Sequence, residues 1–226
     1  MRAAASIQTA MARRKFDRRL IPKKPNLKYE RALWTAGAGL VAGVDEAGRG
    51  ALAGPVYAAA AILPEDTGVA KSLSGVRDSK QMTPAQREYW AEKIRQLAAA
   101  WAIGFATPEE IDVLGIIPAT HLAAGRALEN MAVNPEHVLF DALALPWLNI
   151  EQTSLIKGDQ RSLSIACASV LAKVERDRTM RMLAEKYPDY GFAAHKGYGT
   201  AAHRRALEDW GPCQIHRLSF APMREN

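Results

Sequence analysis

Three short apolar segments of this chain each run directly into acidic side chains, and this recurrence constrains the fold more than any other feature. Short apolar segments bounded by turn-forming residues are typical of buried β-strands. Ligand sites in α/β proteins form where neighbouring strands end, so we expect the acids to converge. The segments are residues 40–44 before Asp45 and Glu46, residues 137–140 before Asp141, and residues 153–156 before Lys157, Gly158 and Asp159.

Periodicity and turn signals predict the remaining elements. Thr83 and Pro84 supply an N-cap and a first-turn proline, so a helix should begin there. The order of elements implies an α/β fold, a mixed sheet flanked by helices, with a helical C-terminal cap. The other predictions are strands at 56–63 and 101–105, a helical turn from 108, helices at 118–131, 164–186 and 200–210, a polar loop at 65–82 and a glycine-rich loop at 191–199.

The first acidic pair is followed by glycines. Successive strand residues point to opposite faces, so Asp45 and Glu46 can serve one site only if the backbone leaves the strand there. Gly48 and Gly50, on either side of Arg49, supply that freedom because glycine adopts φ and ψ values closed to other residues. We therefore expect the strand to end at the acids, with backbone that can closely approach a ligand.

Four carboxylates gathered at one place would repel one another unless a cation lay among them. Hard divalent ions with oxygen ligands, Mg²⁺ or Mn²⁺, fit such a set, and no group of His and Cys suggests zinc. Two ions about 3.5–4 Å apart can generate hydroxide from water and stabilise a leaving oxygen in phosphodiester hydrolysis. The predicted metal-binding and catalytic residues are Asp45, Glu46, Asp141 and Asp159.

Positive charge is concentrated at the start of the chain. The net charge is +6, but residues 1–39 contain ten Lys or Arg and two acids, net +8, which leaves −2 for the rest. We assign residues 1–39 to a flexible basic extension, 40–220 to one domain with a C-terminal helical region from about 176, and 221–226 to a tail. The extension is interpreted as a phosphate-binding arm, a solvated tail, a transit peptide or sequence before a true start at Met11.

Composition argues against several classes of protein. The 48% hydrophobic and 24% charged residues are typical of a soluble globular protein, and no apolar run approaches the roughly 20 residues that span a bilayer. Cys167 and Cys213 are too few for a disulfide framework, so we expect a reducing, cytoplasmic location. Glycines at 37–43 precede a strand instead of following it, which argues against a dinucleotide cofactor.

Six motifs strengthen the interpretation of the acids. They are residues 44–50 (VDEAGRG), 78–80 (DSK), 138–141 (VLFD), 157–159 (KGD), 168–174 (ASVLAKV) and 195–198 (HKGY). In this order and spacing they resemble a bacterial ribonuclease HII (type 2 ribonuclease H), over about residues 40–220. The resemblance implies a ribonuclease H-like fold and makes the four acids the metal-binding and catalytic residues.

The resemblance also implies how substrate is recognised. The loop Gly48-Arg49-Gly50 would contact the 2′-hydroxyl of a ribonucleotide through backbone groups, and this hydroxyl is what separates RNA from DNA. Tyr198 would pack against the sugar of the following deoxynucleotide. Ser79 and Lys80 match a loop that contacts the nucleic-acid backbone.

The implied activity is endonucleolytic and depends on Mg²⁺ or Mn²⁺, with two ions during catalysis. The enzyme would hydrolyse the RNA strand of RNA–DNA hybrids and nick on the 5′ side of single ribonucleotides in duplex DNA, leaving 3′-hydroxyl and 5′-phosphate ends. The resemblance also favours a monomer that binds no membrane.

Two other functions stay open. One is another two-metal nuclease or strand transferase of the same fold, and the other is a non-catalytic nucleic-acid-binding module served by the basic extension. The chain departs from the family pattern at Ala142, where glycine is common, and at Cys167, where alanine is usual.

Overall fold

Five strands form one mixed sheet in a computed structural model that describes residues 16–66 and 68–224. The spatial order of the strands is β3-β2-β1-β4-β5. Strands β1, β2 and β3 are joined antiparallel, whereas β4 runs parallel to β1 and β5 runs parallel to β4. The bounds are β1 Val41–Ala47, β2 Val56–Ile62, β3 Ala100–Ala106, β4 His137–Asp141 and β5 Glu151–Leu155.

The helices cover both faces of the sheet, which confirms the predicted α/β class. Helix α6 packs against β1 and β2 on one face, and α5 packs against β2 and β3 on the other. The bounds are α1 Lys28–Thr35, α2 Val69–Ser72, α3 Pro84–Leu97, α4 Pro108–Leu114, α5 Ile116–Glu129, α6 Leu163–Lys186, α7 Phe192–His195 and α8 Ala201–Trp210.

Small residues let these two helices approach the sheet closely. The β2 residues between Ala58 and Ala61 are all fully buried. A Cβ atom at Gly104 of β3 would lie 2.2 Å from the Ala123 carbonyl oxygen of α5, and one at Gly43 of β1 would lie 2.2 Å from the Ser164 carbonyl carbon of α6. Any larger side chain at either glycine would force a helix off the sheet.

Local sequence explains where several helices begin and end. Thr83 and Gln86 form a reciprocal capping box, with Pro84 in the first turn, so the predicted start of α3 is confirmed. Ser162 accepts a hydrogen bond from the Ile165 amide and caps α6, which ends before Pro188. A smaller core joins Met180, in the second half of α6, to Tyr190 and Phe192, and it builds the predicted helical C-terminal region.

The predicted loops contain some regular structure. The 65–82 segment includes α2 and a 3₁₀ turn at Ser79–Gln81, and the 191–199 segment includes α7. Helix α5 begins at Ile116, two residues before its predicted start. Helices α2 and α7 and the 3₁₀ turn are too short to show a periodic pattern in the sequence, so they were not predicted.

The assignment of residues 1–39 to a flexible extension stays a prediction, but residues 16–39, the described part, make contacts with the domain. Helix α1 packs on the domain, because Leu27 and Trp34 are buried in the core beneath α6. The Glu30 carboxylate is fully buried and accepts hydrogen bonds from the Ser162 and Ser164 hydroxyls at 2.6 and 2.7 Å. Residues 1–15 lie outside the described residues, and so do the transit-peptide and Met11 interpretations.

Within residues 16–66 and 68–224, the structure has no helix with both the length and the apolar character that crossing a membrane requires.

Candidate active site

The first strand continues past the acidic pair, which corrects our expectation that it would end there. Asp45 and Glu46 pair with Ala59 and Ala58 of β2, and the ladder extends to Ala47. The two carboxylates therefore leave the strand on opposite faces. Asp45 is 6% exposed, whereas Glu46 is only partly buried. The backbone turns at Gly48, whose φ is +95°, so β1 extends one residue beyond the expected end at Glu46.

Three of the four predicted acids meet at one place. Oxygen atoms of Asp45, Asp141 and Asp159 all lie within 4.8 Å of one another. The parallel pairing of β1 with β4 explains part of this, since it aligns the ends of both strands. Asp141 closes β4 and accepts a 2.7 Å hydrogen bond from the Gly158 amide, which holds the turn bearing Asp159 against it.

Burial and mutual repulsion hold these acids toward their neutral forms. Burial raises the pKa of Asp45 well above its usual value, and the charges of Glu46 and Asp141 raise it further. Burial also raises the pKa of Asp141, against the opposing effect of the Gly158 amide. For Asp159, burial and then the Asp141 charge raise the pKa to about 6. Glu46 thus lies close enough to affect two of these aspartates, although its oxygens are outside the cluster.

The aspartate cluster fits a hard divalent cation. All of its donors are carboxylate oxygens, the ligands that Mg²⁺ and Mn²⁺ prefer. The Oδ1 atom of Asp159 is buried and has no hydrogen-bond partner among the described residues. Buried carboxylate oxygens without partners are costly, and a cation would remove both that cost and the repulsion that raises the three pKa values.

Lys80 supplies positive charge next to the cluster. Burial by itself would lower the pKa of Lys80, but attraction to the surrounding aspartates outweighs burial and raises the pKa. The loop that carries Lys80 is fixed from two sides. The Ser79 hydroxyl lies 3.0 Å from that of Ser169 in α6, and the Lys80 amide donates a 3.0 Å hydrogen bond to Asp78.

A pocket of about 510 Å³ opens beside the acids, and all the residues predicted to bind substrate line it. One wall is the turn after β1, another is the loop of Lys80, and a third carries the ring of Tyr198. Glu46 also faces this pocket and forms a salt bridge with Arg49, in which Arg49 Nη1 lies 3.0 Å from Glu46 Oε1. The predicted residues are Gly48, Arg49, Gly50, Ser79, Lys80 and Tyr198.

Several residues of the site received no role from the sequence. Ser169 hydrogen-bonds Asp45 and lowers its pKa, and Lys173 lines the pocket one helical turn later. Their i, i+4 spacing on the longest predicted helix was a usable signal, because such residues share one helix face. Phe220 also lines the pocket, from the C-terminal segment beyond α8, and no periodic signal pointed to it.

Comparisons with known proteins agree with this geometry. The family model described as Ribonuclease HII matches residues 42–223. A ribonuclease HII of Synechococcus sp. (strain JA-3-3Ab) is 54% identical over 89% of this chain and 90% of its own, and one of Roseiflexus castenholzii is 52% identical over 88% and 89%.

Solved structures show the same fold. The ribonuclease H2 of Pyrococcus horikoshii superposes with a TM-score of 0.68 at 28% identity, over 81% of this chain and 95% of its own. The ribonuclease HII in a complex with PCNA from Archaeoglobus fulgidus also gives 0.68, at 26% identity over 83% and 98%. The fold and family predicted from the motifs are therefore confirmed, and the chain belongs to the ribonuclease HII family of ribonuclease H type endonucleases.

Proposed function

We propose that this enzyme hydrolyses the RNA strand of RNA–DNA hybrids and nicks duplex DNA on the 5′ side of single ribonucleotides. The observation that carries the proposal is the position of the pocket. It is lined by Gly48, Gly50 and Tyr198 and also by Glu46 and Lys80. The last two lie close enough to the cluster of Asp45, Asp141 and Asp159 to interact with its charges. A sugar seated against the glycine loop would place its 5′ phosphate next to the acids.

The acids are proposed to hold Mg²⁺ or Mn²⁺. Asp45, Asp141 and Asp159 would contribute ligands directly, and we retain Glu46 as the fourth carboxylate, at the border between cluster and pocket. When bound, two such ions supply a water-derived nucleophile and stabilise the negative charge on the leaving oxygen. The raised pKa values support this role, since a cation would favour the ionised carboxylates.

Substrate recognition is proposed to depend on groups that the chain itself positions. Backbone groups of Gly48 and Gly50, which line the pocket, can hydrogen-bond a 2′-hydroxyl, which only a ribonucleotide carries. The Tyr198 ring offers an apolar surface to the next sugar, which an additional hydroxyl would disturb. Lys80 and Lys173 lie at the pocket wall and attract the phosphate groups on either side.

Attack on the phosphorus 5′ of the ribonucleotide displaces the 3′ oxygen of the preceding nucleotide. Water forms the new P–O bond and loses a proton, and the leaving oxygen gains one, so the products are a 3′-hydroxyl and a 5′-phosphate. This outcome differs from cleavage by the ribose 2′-oxygen itself, which would leave a cyclic phosphate. End-group analysis of the two fragments therefore tests the direction of attack.

The deciding experiment uses a labelled DNA duplex with one ribonucleotide, a matched all-DNA duplex and a continuous RNA–DNA hybrid, each with Mg²⁺ or Mn²⁺. We expect cleavage of the first and third substrates only. Equal cleavage of all three would favour another two-metal nuclease of this fold. Binding without cleavage of any substrate would favour a nucleic-acid-binding module.

Three further features stay predictions. A basic arm that binds phosphates would make the affinity for duplexes fall steeply as the salt concentration rises. Deletion of residues 1–15 should then make the affinity less dependent on salt.

A monomeric state predicts a mass near 24.7 kDa by light scattering. Localisation by fractionation tests the cytoplasmic assignment.

A further inference from the structure

Two arginines next to the pocket are fully buried. Arg176 lies in α6 and Arg217 lies in the segment after α8, and both have 0% relative exposure. Within residues 16–66 and 68–224, neither guanidinium forms a salt bridge. Burial lowers the pKa of both, and the charge of Arg176 helps to lower that of Arg217 to about 9. Burying an unpaired cation is strongly unfavourable, so packing alone does not account for these residues.

Their hydrogen bonds all go to one short segment, between the glycine loop and β2. Arg176 donates from Nε to the Pro55 carbonyl at 3.1 Å and from Nη2 to that of Ala53 at 3.2 Å. Arg217 donates from Nε to the Gly54 carbonyl and from Nη1 to the Arg49 carbonyl, both at 2.9 Å. Four carbonyls within seven residues are thus fixed by two planar guanidinium groups.

Arg176 also contacts both walls of the pocket. Its guanidinium carbon lies 5.2 Å from the centre of the Tyr198 ring. On the other side, a Cβ atom at Gly48 would lie only 1.9 Å from Arg176 Nε, so the Gly48 backbone passes directly against this side chain. One side chain therefore sets the spacing between the glycine loop and the tyrosine.

We propose that Arg176 and Arg217 are positioning residues that determine specificity for isolated ribonucleotides. They hold the Gly48–Gly50 backbone at a fixed distance from Tyr198, so that a ribose and the deoxyribose after it are recognised together. This inference rests on the proposed function of the same pocket. An isolated ribonucleotide requires both contacts in register, whereas a continuous hybrid offers a ribose at every position and tolerates a shifted loop.

The test compares the single-ribonucleotide duplex with the continuous RNA–DNA hybrid for wild type, Arg176→Lys, Arg217→Lys and the two Arg→Met variants. A lysine keeps the charge but cannot reproduce two parallel hydrogen bonds from a planar fork. We expect kcat/KM for the single-ribonucleotide duplex to fall by about 10²-fold, the usual effect of misplacement by about 1 Å. The ratio of the two kcat/KM values should fall at least tenfold, while Mn²⁺ affinity measured by calorimetry stays unchanged.

A matched control separates positioning from general stability. Ile94 is fully buried in α3, outside the pocket, so Ile94→Ala should lower the melting temperature and leave the substrate ratio unchanged. If either Lys variant keeps the wild-type ratio, the inference is wrong. If wild type itself does not cleave the single-ribonucleotide duplex, the proposed function fails instead.

A measurement on wild type keeps the inference testable even if the variants do not fold. In the substrate-free enzyme, the amides of residues 51–54, which all donate to backbone carbonyls, should exchange hydrogen as slowly as those of β2, because the arginines hold this segment. Exchange at the rate of an open loop would overturn the proposal.

Discussion

The aspartate cluster and the glycine loop lie side by side, yet they bury charge in opposite ways. The cluster buries carboxylates whose pKa values are raised and leaves Asp159 Oδ1 without a hydrogen-bond partner. The loop is held by buried cations, and four of their N–H groups already donate to backbone carbonyls. One region is incomplete without an external charge, whereas the other uses internal charge to fix its own geometry.

This difference suggests separate roles for the two regions, the aspartate cluster in cleavage and the glycine loop in recognition of the substrate. Repulsion among the aspartates destabilises the metal-free fold, and a bound cation removes that repulsion, which strengthens its binding. The stability of the protein should therefore depend on metal concentration and on pH. Among the described residues, Arg176 Nη1 and Arg217 Nη2 also have no hydrogen-bond partner, but the other N–H groups of these arginines hold the backbone beside the loop. The loop should therefore respond mainly to changes of shape. Variants in the first region are therefore expected to change metal binding and turnover, and variants in the second to change the choice of substrate.

The largest effect is expected for Asp141→Asn. An amide keeps the size of the side chain but removes a charge from the cluster, and loss of several kcal/mol of metal-dependent stabilisation lowers kcat by on the order of 10³-fold. Affinity for the duplex, measured by fluorescence anisotropy, should stay within a few fold. Asp209→Asn, at an exposed position of α8, is the matched control. Retention of turnover by Asp141→Asn would contradict the assignment of the cluster.

The next effect concerns stability and pH in the metal-free protein. The pKa of Asp159 is about 6 when folded against an ordinary value of 3.8, so the folded state binds its proton more tightly. Its ionisation therefore costs stability above about pH 6, and this cost disappears as the pH falls toward 4. In EDTA at pH 7.5, Asp159→Asn should be more stable than wild type by up to about 3 kcal/mol.

The comparison with Asp159→Asn isolates that carboxylate from other titrating groups. His203, whose pKa burial lowers to about 4, contributes in the opposite direction over the same range, but it is common to both proteins. The difference in unfolding free energy, from urea titrations, should shrink between pH 7.5 and 4.5. Saturating Mg²⁺ should stabilise wild type more than the variant. A difference independent of pH would show that Asp159 titrates normally.

Gly48→Ala tests the other region. A methyl group there would collide with Arg176 and would also place alanine at φ +95°. The loop must shift, so cleavage of the single-ribonucleotide duplex should fall by about 10²-fold while Mn²⁺ affinity is kept. Gly125→Ala in α5 has open space around the added methyl and serves as control. Equal losses of metal affinity and cleavage would mean that the two regions are not separable.

The sequence predicted the acid cluster better than the loop geometry. Apolar segments ending in carboxylates identified Asp45, Asp141 and Asp159, because strand ends bring such residues together whatever the details of packing. The end of β1 was placed too early, since Ala47 fits a strand as well as a turn. Arg176 could not be recognised as buried, because it lies in a charge-rich stretch that is typical of a solvated helix face. Its burial depends on contacts with residues more than a hundred positions away.

The smallest effect is expected at Ala142, where the resemblance described above led us to expect glycine. Ala142 follows Asp141 with φ at +50°, and its amide donates to the Leu155 carbonyl at 3.1 Å, so the backbone is held in the left-handed region. A Cβ atom costs roughly 1–2 kcal/mol there, which exceeds the additional entropy that glycine loses on folding. Ala142→Gly should therefore raise the free energy of unfolding by about 1 kcal/mol. Ala202→Gly, at an exposed position in α8, should lower it by about 0.5–1 kcal/mol. Destabilisation by both glycines in parallel melts would show that the turn after Asp141 carries no backbone strain.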